Sequence, residues 1–271
     1  MQRLGSQYRK AFLTGGRSGL GRAFLDMLLD EGVEVWATSR DAASLPQRPN
    51  LHPVSLDLSD PGAVRATVEE LLASVPDFDL LINNAGYGVF APFEEMHPED
   101  VEGQLQVLLH GPIAIAQSLY QQMVVRGKGG AIVNVSSLAG QFPIPLMTLY
   151  DAAKAGLTGF SKSLALEADR HGIAVVDFQP GDFNTSFNEA MVRSIHADAF
   201  QGRLWSRLEY NLLHGPSPEV AVRVLKRALR SKGARTAYTG GIFQAKLAPF
   251  LARFAPDRFL RGCIKRYFGI R

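Results

Sequence analysis

The segment KAFLTGGRSGLGRAFLDMLLDEG, residues 10–32, decides the fold of this chain. It opens with a short apolar run, passes through a glycine-rich turn at 14–21 and continues with apolar residues at helical spacing. Glycines at a strand-to-helix turn permit positive φ angles and let the backbone approach a pyrophosphate, which then meets the amides at the start of the helix. A tight structural turn is the alternative explanation. The position of the glycines after a first strand favours a nucleotide site.

The rest of the chain repeats this alternation of short β-rich runs and longer helical patterns. Such alternation is typical of βαβ crossovers and therefore of a mainly parallel sheet. The predicted strands are 10–14, 33–38, 52–56, 80–83, 131–135, 173–179 and 236–239. The predicted helices are 19–31, 61–75, 98–125, 150–170 and 218–230. We therefore predict an α/β fold in a single domain over residues 1–271, with a doubly wound, mainly parallel, seven-stranded sheet and helices on both faces.

The composition excludes several classes of protein. The 271 residues are 46% hydrophobic and 20% charged, which suits a packed globular core rather than disorder. The net charge of +3 arises from 29 basic and 26 acidic residues, too small an excess for a surface that binds nucleic acid. The histidines show no metal-ligand spacing, so no bound metal is expected. A single cysteine, and no apolar stretch of about 18 residues, lead us to expect a soluble, cytoplasmic protein.

Further motifs follow the glycine turn in a fixed order. They are Asp57-Leu58, Asn83-Asn84-Ala85-Gly86, Asn134-Val135-Ser136-Ser137, Tyr150-Asp151-Ala152-Ala153-Lys154, and Pro180-Gly181 with Thr185 four residues beyond. Each motif alone has an ordinary explanation, because Asn, Asp, Gly and Pro are favoured at strand ends and turns and a YxxxK pair can arise by chance. In this order and spacing they resemble the short-chain dehydrogenase/reductase superfamily, which has a Rossmann-type fold, over about residues 10–230.

The resemblance implies an NAD(P)-dependent oxidoreductase that interconverts a carbonyl and an alcohol by hydride transfer, and that forms homodimers or homotetramers through its two longest helices. Ser137 would polarise the substrate oxygen, Tyr150 would be the general acid or base, and Lys154 would also bind the nicotinamide ribose. Strand alternation implies that only one of Ser136 and Ser137 faces the site. The implied cofactor contacts are Thr14, Gly15, Arg17, Ser18, Gly19, Leu20, Gly21, Ser39, Arg40, Asp57, Leu58, Asn84, Ala85, Gly86, Tyr150, Lys154, Pro180, Gly181 and Thr185.

Tyr150 and Lys154 are four residues apart and therefore share one face of a helix. A free phenol, with a pKa of about 10, is a poor acid or base at neutral pH. An adjacent cation favours the phenolate and can lower its pKa by about 1 to 3 units. We therefore expect Lys154 to lower the pKa of Tyr150.

The end of the second predicted strand bears on the choice of cofactor. An NAD enzyme is expected to carry an acidic residue there for the ribose 2′-hydroxyl, and this chain has Ser39 at that position, followed by Arg40. The Arg40 guanidinium suits a 2′-phosphate, and Arg17 in the glycine turn offers a second positive charge. The alternative is that both arginines are ordinary solvated charges. We predict NADP in preference to NAD.

One position departs from the family pattern. The family usually carries an asparagine three residues before a glycine on its long central helix, where it holds a water of the proton relay. Counting back from Gly111 places Leu108 there. Leucine cannot hydrogen-bond a water, so the relay uses another group or is impaired.

Two apolar regions bear on the substrate and on partners. Residues 181–215 form a predicted aperiodic lid and, with residues 141–147, favour a bulky apolar ketone or alcohol as substrate. Residues 242–271 form an aromatic and basic C-terminal extension that covers the cleft or a subunit interface, or lies on an anionic membrane. Two further alternatives are a nucleotide-binding regulator with weakened catalysis, for which Leu108 is the evidence, and a membrane-surface protein that acts through this extension.

Overall fold

The computed structural model describes residues 3–187, 189–193, 199–231, 233–241, 243–247, 249–250 and 254–270. The strands of its main sheet are β1 Lys10–Leu13, β2 Glu34–Ser39, β3 Leu51–Ser55, β4 Leu80–Asn83, β6 Gly130–Val135, β7 Ile173–Pro180 and β9 Arg235–Thr239. Two short strands, β5 Val89–Phe90 and β8 Val192–Arg193, pair with each other. The main sheet is parallel throughout, in the order β3-β2-β1-β4-β6-β7-β9. The predicted doubly wound, seven-stranded sheet is confirmed.

The strand order changes direction at β1. This strand pairs with β2 on one side and β4 on the other, so Phe12 lies opposite Trp36 and Leu81. At such a switch point the connections leave toward opposite faces of the sheet and open a crevice outside the carboxyl ends of the strands. The glycine turn follows β1 and therefore lies in this crevice.

Helices cover both faces of the sheet. Their bounds are α1 Gly19–Asp30, α2 Pro61–Ser74, α3 Pro98–Leu105, α4 Gly111–Arg126, α5 Thr148–Ala168, α6 Ala199–Leu213, α7 Pro218–Arg230 and α8 Asp257–Phe268. On one face α1 and α7 pack together, through residues such as Phe24 and Leu225. On the other face α2, α4 and α5 contribute Val64, Ile115 and Leu164 to a second apolar cluster. Since both faces are covered, the central strands are mostly apolar, and all four residues of β4 are buried.

The long helix predicted over 98–125 is interrupted. Residues Gln106–His110 form a π turn between α3 and α4, in which the Gly111 amide bonds the Gln106 carbonyl five residues back. The reason is Pro112, which lacks an N–H and whose ring would clash with the carbonyl of Leu108 in a regular helix. The wider turn relieves this clash, and it places Leu108 at the interruption.

The prediction that residues 181–215 are aperiodic is wrong. This segment contains β8 and the fifteen-residue helix α6. Leu204, Leu208 and Leu212 recur every four residues on the buried face of α6 and pack in one cluster with Phe90 and Met147. Residue 188 and residues 194–198 lie outside the described residues. The described part of the segment is therefore a helical layer beside the crevice.

The C-terminal extension, predicted over 242–271, contains a π turn at Phe243–Leu247 and the helix α8. Its residues 242, 248, 251–253 and 271 lie outside the described residues. Phe268 and Ile270 pack on the cluster formed by α6, and the Arg207 guanidinium carbon lies 5.0 Å from the ring centre of Tyr267. Helix α8 is thus held against α6. No helix within the described ranges is long and apolar enough to cross a membrane.

Candidate active site

A cleft of about 1410 Å³ opens at the carboxyl ends of the parallel strands. Small-molecule pockets usually have volumes of roughly 300–1,000 Å³. This cleft therefore has room for a dinucleotide together with a substrate. Of the nineteen predicted cofactor contacts and the three predicted catalytic residues, all except Thr14 line it.

The glycine turn is shaped for close approach. Gly15 and Gly19 have φ angles of +74° and +57°, in the region that favours glycine. A Cβ atom on Gly21 would lie 1.9 Å from the Gly15 carbonyl oxygen, so only glycine fits there. Ser18 precedes α1 and makes no side-chain cap, so the first amides of the helix have no side-chain acceptor from this residue. This arrangement fits an anionic pyrophosphate.

Thr14 requires a correction, because the structure places it beneath the cleft rather than on its surface. Its side chain is buried, and its Oγ1 accepts hydrogen bonds from the amides of Asn84 at 3.0 Å and Ala85 at 3.1 Å. The Asn84 side-chain amide donates in return to the carbonyls of Thr14 and Gly15, both at 3.1 Å. Thr14 therefore ties the end of β1 to the segment after β4 and supports the cofactor-binding surface from behind.

The side of the cleft beyond β2 carries positive charge. Arg17 and Arg40 are both exposed and line the cleft. Within the described ranges neither forms an ion pair shorter than 4.0 Å. Hydrogen bonds from the Ser59 amide and hydroxyl, with the nearby Arg40, hold the pKa of Asp57 below its usual value. The exposed guanidinium groups fit a phosphate. The nearby Asp57 carboxylate is ionised and accepts two hydrogen bonds from Ser59.

The two serines after β6 point in different directions. The Ser136 hydroxyl donates to the buried Asp177 carboxylate at 2.5 Å. The Ser137 hydroxyl accepts from the Ala139 amide at 3.0 Å and donates to the Pro180 carbonyl at 3.4 Å. Both serines line the cleft, but the Ser136 hydroxyl is engaged with Asp177, which leaves Ser137 the better placed to bond a substrate. Strand alternation required only that the two side chains point in different directions.

Helix α5 places Lys154 beneath Tyr150. The Lys154 ammonium lies 5.7 Å from the centre of the Tyr150 ring and donates to the Val135 carbonyl at 2.7 Å. Burial lowers the pKa of Lys154 to about 8, against the nearby Asp177, whose charge raises it. The ammonium is therefore charged at neutral pH at an appreciable desolvation cost.

The expectation that Lys154 lowers the pKa of Tyr150 is wrong for this structure. Burial raises the pKa of Tyr150 to about 12, a hydrogen bond with Ser137 opposes the rise, and the charges of Asp151 and Asp182 add to it. Desolvation of the phenolate is the largest of these effects, and it outweighs the opposing hydrogen bond. Tyr150 is therefore a protonated phenol at neutral pH, which is the form that donates a proton.

Leu108, which stands where the family usually carries an asparagine, lies close to Lys154. Its side chain is fully buried in the π turn. A Cβ atom built on Gly86 would lie 2.8 Å from Leu108 Cδ2 and 3.8 Å from Lys154 Nζ, so both side chains border the same point. The space beside the Lys154 ammonium is thus filled by hydrocarbon, where an asparagine would offer an amide.

Two polar contacts near the cleft escaped the sequence reasoning. The Asp151 carboxylate accepts from the Ile144 amide at 2.8 Å and so fastens the segment after Ser137 to α5. The Gln244 side chain bonds both the carboxylate and the amide of Asp182, at 2.5 and 3.2 Å, and joins the C-terminal extension to the loop after β7. Asp151 lies inside the YxxxK motif and could have been singled out as an acid next to Tyr150. No local pattern distinguishes Gln244.

Comparisons with known proteins agree with this geometry. The family model described as short chain dehydrogenase matches residues 9–195. The 3-ketodihydrosphingosine reductase of Bacteroides thetaiotaomicron is 29% identical over 96% of this chain and 97% of its own. Human L-xylulose reductase is 34% identical over 67% of this chain and 75% of its own. The structure of a short chain dehydrogenase from Burkholderia cenocepacia in complex with NADP gives a TM-score of 0.75 at 25% identity, over 95% of this chain and 97% of that one.

The family match covers well over half of the chain and includes the glycine turn, Ser137, Tyr150 and Lys154. The seven-stranded parallel sheet superposes on the Burkholderia structure over nearly the whole chain. The chain therefore belongs to the short-chain dehydrogenase family and is an NAD(P)-dependent oxidoreductase.

Proposed function

We propose that this protein uses NADPH to reduce a ketone on a long apolar chain to the secondary alcohol. The observation that carries the proposal is the common cleft, in which Ser137, Tyr150 and Lys154 face the same space as the glycine turn. That space continues between apolar side chains from several elements. They are Phe142, Ile144, Met147, Phe187, Met191, Leu208, Leu212, Phe243, Phe259, Leu260, Ile264 and Phe268.

In this proposal NADPH supplies the hydride to the carbonyl carbon. Ser137 donates a hydrogen bond to the carbonyl oxygen, where negative charge develops. Tyr150 gives its phenolic proton to that oxygen, so that a neutral alcohol forms. Lys154, charged below a pKa of about 8, stabilises the phenolate that remains on Tyr150 until it is reprotonated.

The extent of each similarity supports an apolar substrate over a sugar. The match to 3-ketodihydrosphingosine reductase spans nearly the whole chain and thus reaches into α6 and α8, which line the apolar part of the cleft. The match to L-xylulose reductase covers two thirds of the chain. A long hydrocarbon can bury itself against the apolar wall, whereas a polyol would leave hydroxyls unpaired there.

A series of methyl ketones with four, eight and twelve carbons tests the substrate class. We expect kcat/KM for NADPH oxidation to rise by at least a hundredfold from the shortest to the longest ketone, because each buried CH₂ contributes about 0.8 kcal/mol. L-xylulose serves as the polar control and should not be reduced. Equal rates along the series, or reduction of L-xylulose alone, would contradict the apolar substrate.

The alternative function is a nucleotide-binding regulator, for which the buried Leu108 beside Lys154 is the specific observation. Tight NADPH binding without turnover of any substrate would favour it.

We further propose that the cofactor is NADPH because Arg40 contacts its 2′-phosphate. A charge-assisted hydrogen bond of this kind contributes about 1.5–3 kcal/mol. Arg40→Gln should therefore weaken NADPH binding about ten- to a hundredfold in a fluorescence titration and leave NADH binding unchanged. The matched control is Arg65→Gln, which removes an exposed charge on α2 outside the cleft. A parallel loss for both cofactors would assign Arg40 to general phosphate attraction.

Exposed apolar side chains on two long helices bear on how the chain associates. We propose that residues 1–271 act as one domain and associate as homodimers or homotetramers through α4 and α5. Val125 and Leu166, near the C-terminal ends of these helices, are exposed apolar side chains that such an interface could bury.

A further inference from the structure

The rim of the cleft carries exposed aromatic side chains. Phe243 and Phe259 both line the cleft, yet they are 59% and 64% exposed, so they lie at its opening. Phe250 and Phe254 are outside the cleft, are similarly exposed, and pack their rings 5.5 Å apart. Large exposed apolar groups concentrated within seventeen residues usually mark a contact surface.

Helix α8 adds positive charge to this surface. Arg258, Arg261 and Lys265 recur at spacings of three and four residues and are exposed. An adjacent side of the helix carries Leu260 and Ile264, which line the cleft. The helix is thus amphipathic, with its apolar side on the cleft and its basic side in solvent.

The basic residues of α8 outnumber its acidic residue. Asp257 is the acid of α8 and pairs with Arg261 at 3.1 Å. Arg266 adds a fourth exposed basic residue to the same helix. The C-terminal end of α8 is held on α6 by Phe268 and by Tyr267, which packs against Arg207. The basic side is therefore presented outward by a helix that is anchored to the body of the protein.

We propose that α8 and the phenylalanines Phe243, Phe250, Phe254 and Phe259 form a membrane-docking surface that sets the mouth of the cleft on an anionic lipid bilayer. Aromatic side chains beside arginine and lysine are the composition of segments that lie in a membrane interface, and the cations match the charge of anionic headgroups. The inference rests on the proposed function, because a ketone on a long apolar chain partitions into the bilayer and would enter the cleft directly from it.

A sedimentation assay with vesicles tests the surface without any substrate. The full chain, with NADPH present, is mixed with vesicles of phosphatidylcholine alone or with 30% phosphatidylglycerol. We expect binding to the anionic vesicles that weakens when salt is raised from about 0.1 to 0.5 M. Equal binding to both vesicles, or binding to neither, overturns the proposal, and the second result would assign the surface to a protein partner.

Two sets of variants separate the aromatic from the electrostatic contribution. Phe250→Ser with Phe254→Ser should weaken binding to anionic vesicles about tenfold or more. Its control is Phe93→Ser, which removes an exposed phenylalanine outside the cleft.

The triple variant Arg258→Gln, Arg261→Gln and Lys265→Gln should weaken binding to anionic vesicles about a hundredfold. Its control is Arg65→Gln with Lys128→Gln and Arg223→Gln, at exposed positions elsewhere. Unchanged vesicle binding in both test variants overturns the proposal.

Turnover of a soluble eight-carbon ketone keeps the two proposals apart. None of the five substituted side chains of the test variants lines the cleft. Their turnover of this ketone in solution should therefore equal that of the wild type while vesicle binding is lost. A wild type that binds anionic vesicles but reduces no ketone would overturn the proposed function and leave the docking surface standing.

Discussion

Tyr150→Phe is expected to lower kcat/KM for ketone reduction with NADPH about a thousandfold, because it removes the proton donor and leaves the ring in place. General acid catalysis by a positioned side chain contributes about 10²- to 10⁴-fold. The ring of Tyr150 packs against Phe187, with their centres 5.9 Å apart, and phenylalanine preserves this contact. The affinity for NADPH should therefore change by less than about threefold.

Tyr87 and Tyr267 provide matched controls for this substitution. Both line the same cleft, so Tyr87→Phe and Tyr267→Phe remove the same atom from the same space. Steady-state NADPH oxidation with the twelve-carbon ketone, measured for all three variants, should show the large loss for Tyr150 alone. A Tyr150→Phe enzyme that retains most of its turnover would show that another group, or a water, delivers the proton.

The pKa of Tyr150 also bears on the pH dependence of reduction. Because burial raises this pKa to about 12, the phenol holds its proton throughout the neutral range. Ketone reduction needs a proton donor, so loss of the Tyr150 proton should not lower its rate in that range.

The sequence was sufficient for the parts of the fold that local patterns encode. Strands and helices alternate in the predicted order, and the boundaries of most elements agree to within one or two residues. The glycine turn and the strand-end motifs converge on one cleft because parallel strands place their carboxyl ends at the same edge of a sheet. That convergence follows from topology, which the alternation of elements already indicates.

The remaining features depend on contacts between distant segments. The π turn at Gln106–His110 follows from Pro112, a signal that the helical pattern concealed. The glycine-rich motif predicts Thr14 as a cofactor contact. In the structure its hydroxyl accepts hydrogen bonds from amides about seventy residues away in the sequence, which no local pattern reveals. The pKa of Tyr150 was predicted in the wrong direction because i,i+4 spacing reveals the neighbouring cation and not the burial that opposes it.

Lys154→Met is expected to abolish ketone reduction and at the same time to stabilise the folded protein at pH 7. Lys154 is 4% exposed, and burial lowers its pKa from the usual 10.5 to about 8. Since each pKa unit corresponds to about 1.4 kcal/mol, the buried charge costs the folded chain about 3 kcal/mol. The variant also loses the hydrogen bond to the Val135 carbonyl, which lowers its stability by about 1 kcal/mol. The free energy of unfolding should therefore rise by about 2 kcal/mol in total.

The dependence of this gain on pH identifies its origin. Below about pH 8 both the folded and the unfolded chain carry the charge, so the full cost is present. Between about pH 8 and 10.5 the folded chain releases the proton while the unfolded chain keeps it, and the stability of the wild type rises with pH. Denaturant unfolding of wild type and Lys154→Met should therefore give midpoints that converge toward pH 10.5, with the exposed Lys128→Met as control. A less stable Lys154→Met at pH 7 would contradict this account, because Asp177 and the Val135 carbonyl would then stabilise the ammonium by more than its burial costs.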